Sequence, residues 1–199
     1  MDAPPLHDTL IEAALAAVRA QGIDAVSLRA VARDAGVSHA AYARHFRDKD
    51  ELLDAAADVA HARLEHLLFD GMRAPGSVLD RLVQQAHHYA DFAIDEPHLS
   101  ELIERRRTGR TGNHWTASIE RTTRARRRGE LQGDPAELVV AGAAMLRGLV
   151  GLYRDGSLTR QELRQAIDGV YRATLVRFAP ADDDGVPTEK TAALAAHSV

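Results

Sequence analysis

The sequence contains no cysteine. That excludes disulfides, thiolate metal sites and cysteine nucleophiles, and it fits the reducing cytoplasm. Aromatic residues are scarce, at 5% of the chain, so the 45% of residues that are hydrophobic must build a mostly aliphatic core. No Gly-rich phosphate loop, nucleophile elbow or matched carboxylate pair is present, so neither an enzyme nor a cofactor is expected. His61, His66, His87, His88 and His98 lack a carboxylate at metal-binding spacing, so no metal is expected either. Long unbroken apolar runs are missing too. Arg, Gly or Asp interrupts each one, which predicts no membrane-crossing segment. The first residues, MDAPPLHD, are acidic and lack the basic-then-apolar pattern of a secretory leader. Finally, there is no net positive charge. The chain carries −4, and in residues 1–50 six cations face seven acids, a balance of −1. A nucleic-acid reading must therefore rest on where cations cluster, as Arg44, Arg47 and Lys49 do.

What is present is helical periodicity. Leu10, Ile11, Ala14, Leu15 and Val18 recur at helical spacing, and Gly22 closes the run. A second helix is predicted from an N-cap at Ser27 through Leu28, Val31 and Ala32 to Ala35. Gly36-Val37 makes a turn, and Ser38 caps a third helix ending near His45. Asp48 opens a fourth helix with Glu51 in capping-box position. Further helices are predicted over 77–95, from Pro97 through Ile103, around Trp115 to Gly129, from Asp134-Pro135 for about twenty residues, and over 160–178. Residues 107–113 read as a loop and 180–199 as a flexible tail. The fold class expected is all-α.

The segment Ser27 to Lys49, SLRAVARDAGVSHAAYARHFRDK, has the form of a helix-turn-helix. Leu28, Val31, Ala32, Val37, Tyr42 and Phe46 supply an apolar inner face that braces two short helices. Gly36 fills a turn position where a Cβ is expected to clash. His39, Ala40, Ala43 and Arg44 fall on the outer side, and the amides opening the helices near Ser27, Ser38 and Asp48 suit backbone phosphates. A plain αα-hairpin fits the same spacing.

The segment also resembles the N-terminal domain of TetR-family regulators over roughly residues 8–60. The matching residues are Ser27, then Ala32-Arg33-Asp34-Ala35-Gly36-Val37-Ser38, then Arg44-His45-Phe46, Asp48, Lys49 and Leu52-Leu53. The resemblance implies DNA contacts from Ser27, Arg29, Ser38, His39, Ala40, Arg44, His45 and Lys49. It also exposes a departure. The tyrosine usual before Arg44 is Ala43, with Tyr42 one place earlier and expected to point inward, so one phosphate contact of about 1 kcal/mol is missing.

The remainder resembles the ligand-binding and dimerisation domain of the same family, more loosely. The stretches 89–103 and 143–158 look like a subgroup with an aromatic-His-Gly motif, but Arg147 stands where that His would be. The helix from Pro135 is apolar nearly all round and is expected to be buried, by a partner subunit or as a core helix. His88, Tyr89, Phe92, Trp115, Met145 and Tyr153 are candidate effector-pocket lining, although each reads first as plain core. Nine arginines in 105–128 against the single acid Glu120 read as a solvated helix face, or as an acidic-effector or extra DNA contact. The organisation expected is a DNA-binding domain over 1–52, a ligand-binding and dimerisation domain over 53–179 and a tail over 180–199. The function expected is that of a ligand-responsive homodimeric repressor on a palindromic operator, with no membrane partner. The alternative is a small-molecule-binding helical protein whose helix-turn-helix no longer binds DNA.

Overall fold

The computed structural model describes residues 5–71, 75–106 and 112–180, and every regular element among them is helical. In chain order these are α1 (Leu6–Gln21), α2 (Leu28–Asp34), α3 (His39–Tyr42), α4 (Lys49–Gly71), α5 (Val78–Asp95), α6 (Pro97–Arg106), α7 (Gly112–Arg127) and α8 (Pro135–Arg154). The final stretch is α9 (Arg160–Ala166), a π-helical turn (Ile167–Tyr171), α10 (Arg172–Leu175) and a 3-10 turn (Val176–Phe178).

Two expected boundaries move. The third helix stops at Tyr42 rather than near His45, and hydrogen-bonded turns back to the Tyr42 carbonyl carry the chain to Phe46. Gly112 and Asn113, predicted as loop, begin α7. Residues 107–111 and the tail beyond Pro180 lie outside the described residues. The single helix predicted over 160–178 is broken by the π turn. Its buried residues Leu163, Ile167, Tyr171 and Leu175 repeat every four positions. On an α-helix that spacing drifts about 40° per step, and a wider π turn takes up the drift.

The chain forms two compact units, residues 1–70 with 88–114 and residues 71–87 with 115–199. The expected boundary after residue 52 falls inside α4, which runs unbroken from Lys49 to Gly71.

The first unit closes on itself. Leu10, Ala14, Leu15 and Val18 of α1, Val31 and Ala32 of α2, Tyr42, Phe46, and Leu52, Leu53 and Ala56 of α4 share one core with Leu99, Leu102 and Ile103 of α6.

The second unit is less complete. Leu138, Gly142 and Val150 of α8 are buried, and Gly142 admits the Tyr171 hydroxyl so closely that a Cβ would stand 3.2 Å from it. The chain after α7 is stitched to the C-terminus by the Gln132 amide donating to the Phe178 carbonyl at 2.9 Å and by an Arg177–Glu137 ion pair. The expectation that α8 is buried is not met within one chain. Val140 and Leu152 are 55% and 43% exposed, and added Cβ atoms at Gly148 and Gly151 would meet nothing within 4 Å. Val170 and Val176 of the last helix are 57% and 45% exposed. The sequence expectation about membranes also needs correcting. α8, at 20 residues and mean hydropathy 1.5, is long and apolar enough to cross a bilayer by length and composition. Its glycines interrupt the run without lowering its hydropathy enough to prevent this.

Candidate nucleic-acid interface

The helix-turn-helix is held from the inside. Val31 and Ala32 bury the inner face of α2. Gly36 turns the chain at φ +70°, and an added Cβ there would meet nothing within 4 Å. The expected clash is therefore absent, and glycine is favoured by the left-handed backbone itself. Tyr42 is buried, lies 5.9 Å from the Phe46 ring and donates its hydroxyl to the Asp48 carbonyl at 3.0 Å. Burial, reinforced by the Asp48 and Glu51 carboxylates, pushes this phenol up to about 12. Tyr42 thus ties α3 to the entrance of α4 and does not replace the missing outward tyrosine. Ala43, at that position, is exposed.

The start of α4 is capped twice. The Glu51 amide donates to Asp48 Oδ1 at 2.8 Å. Glu51 Oε2 accepts from the Arg47 amide at 2.8 Å and from Arg47 Nε at 3.0 Å, so the reciprocal bond falls one residue before the usual capping-box position.

On the outer side, Ser27 stands at the N-cap of α2 in extended conformation, and its side chain makes no capping bond. Arg29 and Arg44 are exposed, with no ion-pair partner among the described residues. Arg33 pairs with Asp34 and Arg47 with Glu51, so both are partly neutralised. Ser38 Oγ accepts from the Ala41 amide at 3.2 Å and caps α3. Ala40 and His45 are exposed, and α3 begins at His39, whose side chain lies outside the described set. Lys49 opens α4, but its ammonium donates to the Asp24 carbonyl at 3.1 Å, in the connection between α1 and α2. Among the described polar side chains on this surface, Ser27, Arg29, Arg44 and His45 have neither cap nor ion pair.

The candidate effector residues divide between the units. His88, Tyr89 and Phe92 belong to the first, where Tyr89 and Phe92 pack half-buried on the core and His88 Nδ1 donates to the Leu67 carbonyl at 3.3 Å. Met145 and Tyr153 are half-buried on α8 in the second, and the Trp115 side chain lies outside the described set. His87 is buried and donates from Nε2 to Asp168 at 2.7 Å, while His98 Nδ1 donates to the Arg19 carbonyl at 3.1 Å. Among the described residues no three His, Asp or Glu side chains gather to hold a metal ion.

Residues 10–56 match the family model described as bacterial regulatory proteins, tetR family. Over those residues the chain is similar to the N-terminal domain of TetR-family regulators. Solved structures of similar fold extend the likeness along the chain. A Rhodococcus sp. RHA1 protein of unknown function is 26% identical, with TM-score 0.74 over 89% of this chain and 97% of that one. A TetR family transcription regulator from Marinobacter aquaeolei VT8 is 19% identical, with TM-score 0.64 over 88% of this chain and 96% of that one. SmeT, the repressor of the Stenotrophomonas maltophilia multidrug efflux pump SmeDEF, is 21% identical, with TM-score 0.63 over 92% of this chain and 96% of that one.

The motif is also braced from α6, by arginines whose partners give no local signal in the sequence. Arg106 of α6 reaches Asp50 at 2.8 Å and Asp54 at 3.2 Å, both in the first turns of α4. Desolvation opposes its charge, but the two carboxylates outweigh this and hold the guanidinium protonated more firmly than usual. Arg105 pairs with Asp24 at 3.1 Å, and Arg19 with Glu96 at 2.8 Å. Part of the arginine run 105–128, read from sequence as a solvated face, is thus a clamp between α6 and the helix-turn-helix with the start of α4. The partners lie about fifty to eighty positions away in sequence, so no local pattern marks them.

Proposed function

We propose that the chain is a ligand-responsive, sequence-specific transcriptional regulator of the cytoplasm, a repressor that binds a palindromic operator as a homodimer. In this reading residues 1–52 bind DNA, residues 53–179 bind the effector and the partner copy, and residues 180–199 form a tail. One observation carries the reading: an internally braced helix-turn-helix that presents Ser27, Arg29, Arg44 and His45 outward without caps or ion pairs. Arg29, Arg44 and His45 position the motif on phosphates, with Arg44 also within the chemistry of guanine recognition. Ser38, His39 and Ala40 open the recognition helix. Lys49 contacts the backbone once it exchanges its Asp24 carbonyl for a phosphate.

The dimer reading is supported by α8 and the last helix, whose apolar side chains stay exposed in one chain. A second copy would cover them in a four-helix interface, and two copies suit half-sites one turn apart. This accounts for the hydropathy of α8 without a membrane. The effector is a largely apolar small molecule, with His88, Tyr89, Phe92, Trp115, Met145 and Tyr153 as its candidate contacts. The response runs through α6, because any shift of α6 is felt at the first turns of α4 through Arg106. The coupling is on the order of 1–3 kcal/mol.

A second reading is favoured by Ala43, by Lys49 held on a carbonyl and by the −1 balance of residues 1–50: an effector-binding protein whose motif no longer binds DNA. Selection from a random-oligonucleotide pool at two salt concentrations separates the two. The regulator enriches a palindrome and loses affinity steeply with salt. No enrichment at either concentration overturns the DNA-binding reading.

A further inference from the structure

Outside the motif itself, the first turn of α1 reaches the same surface. The His7 ring lies over Phe46, with ring centres 4.9 Å apart and planes at 23°. The same ring stands 6.2 Å from that of His45. His7 and His45 are both exposed, and among the described residues the His45 ring has no hydrogen bond. His7 Nδ1 is 3.1 Å from Asp8 Oδ1. Donation to that carboxylate fixes the proton on Nδ1 and leaves Nε2 as the outer atom of the ring. In the neutral ring Nε2 is an acceptor and offers nothing to a phosphate oxygen. Protonation turns it into a charged donor, and a protonated His45 offers two charged N–H donors where its neutral ring offers one.

We infer that the DNA-binding surface extends onto α1, where His7 and His45 form a two-imidazole clamp for one backbone phosphodiester that tightens as the pH falls. The inference rests on the DNA-binding reading above. The spacing suits it, since two rings about 6 Å apart at their centres can each send one donor to the same phosphate group. Phe46 supports the charged state by presenting its face to the His7 imidazolium, a cation–π arrangement. On α1, Asp8 favours a cation at His7, whereas the positive end of the helix opposes it, and Glu12 is paired with Arg63 of α4. On the turn after α3, Arg44 is unpaired and opposes further positive charge. At the start of α4, Arg47 is paired with Glu51, Asp48 is engaged in capping and Asp50 is paired with Arg106. A phosphate entering this corner would relieve the repulsion among Arg44, His7 and His45.

Because the phosphate contribution is independent of sequence, no operator is needed for the test. Mixed-sequence duplex DNA is titrated with the full chain at low salt, at about pH 8 and about pH 6, across the histidine range. The variants are H7Q, H45Q and H7K, each checked for folding by its circular dichroism. The wild-type affinity is expected to rise on the order of tenfold on acidification, with a salt slope steeper by about 1 per added contact. H7Q, which keeps a polar group but cannot charge, should lose much of this rise and should lower the slope at acid pH only. H7K should bind more tightly than H7Q at about pH 8, and any further rise on acidification should come from His45. A pH dependence equal in H7Q and wild type overturns the clamp, as does an H7K variant no tighter than H7Q at about pH 8. No binding by any of the proteins at either pH overturns the DNA-binding reading itself, and so is distinguishable from a failure of the clamp.

Discussion

The two units meet the demands of their hydrophobic patterns differently. In the first, the apolar positions of α1, α2 and α4 find partners within the unit, and α6 completes the core with Leu99, Leu102 and Ile103. In the second, α8 presents apolar residues on more sides than its own chain covers, and Val140, Leu152, Val170 and Val176 remain exposed. A closed core makes the first unit a rigid platform for outward-facing side chains. An open apolar face leaves the second unit with hydrophobic surface that its own chain does not cover, which is what the proposed dimer would use.

The largest effect expected is in the closed core. Leu52 is fully buried, and Leu52→Ala should cost about 2–5 kcal/mol in denaturant unfolding. A cost below about 1 kcal/mol would mean that the first unit is packed far more loosely than the structure has it. The open face should respond in the opposite way. Val140→Asp together with Val170→Asp should leave the circular dichroism of the chain intact and weaken dimerisation on the order of a hundredfold in sedimentation. A smaller effect comes from the turn. Gly36→Ala places a Cβ at φ +70° and should lower stability by about 1–2 kcal/mol without loss of a contact, seen as a lower thermal midpoint. The smallest is Tyr42→Phe, which removes the bond to the Asp48 carbonyl at a cost of about 1 kcal/mol. This variant also changes the alkaline limb. The Tyr42 phenol is raised from 10.0 to about 12, so the folded state holds its proton longer than the unfolded chain does. Its contribution is full below about pH 10 and fades as the pH rises toward about 12. The phenylalanine variant should lack that part of the fall in stability.

The same contrast explains what the sequence made legible. α1 and the motif helices could be read because their periodic positions are buried by near neighbours in the chain, as at Leu10, Ala14 and Val18. The inward direction of Tyr42 followed from its phase with Phe46. The reason for Gly36 did not, since spacing cannot tell a steric clash from a backbone torsion. α8 was legible as an apolar helix but not as an exposed one, because periodicity records what a helix requires and not whether its own chain supplies it. The π turn follows only from comparing four successive buried positions with the helical repeat. Arg106 on Asp50 and Asp54, and His7 on Phe46, join residues more than thirty-five positions apart, and composition gives no sign of either. Lys49, read as a phosphate contact, is tied to the Asp24 carbonyl, a backbone group that carries no sequence signature.

The proposed function joins a closed unit that would bind DNA to an open unit that a second copy would complete. The most direct test is the stoichiometry of the complex in sedimentation velocity, with the chain alone and with a selected operator duplex at micromolar concentration. The account predicts a dimer in the absence of DNA and two chains on each duplex. A monomer in solution that binds the duplex as a single chain would contradict it.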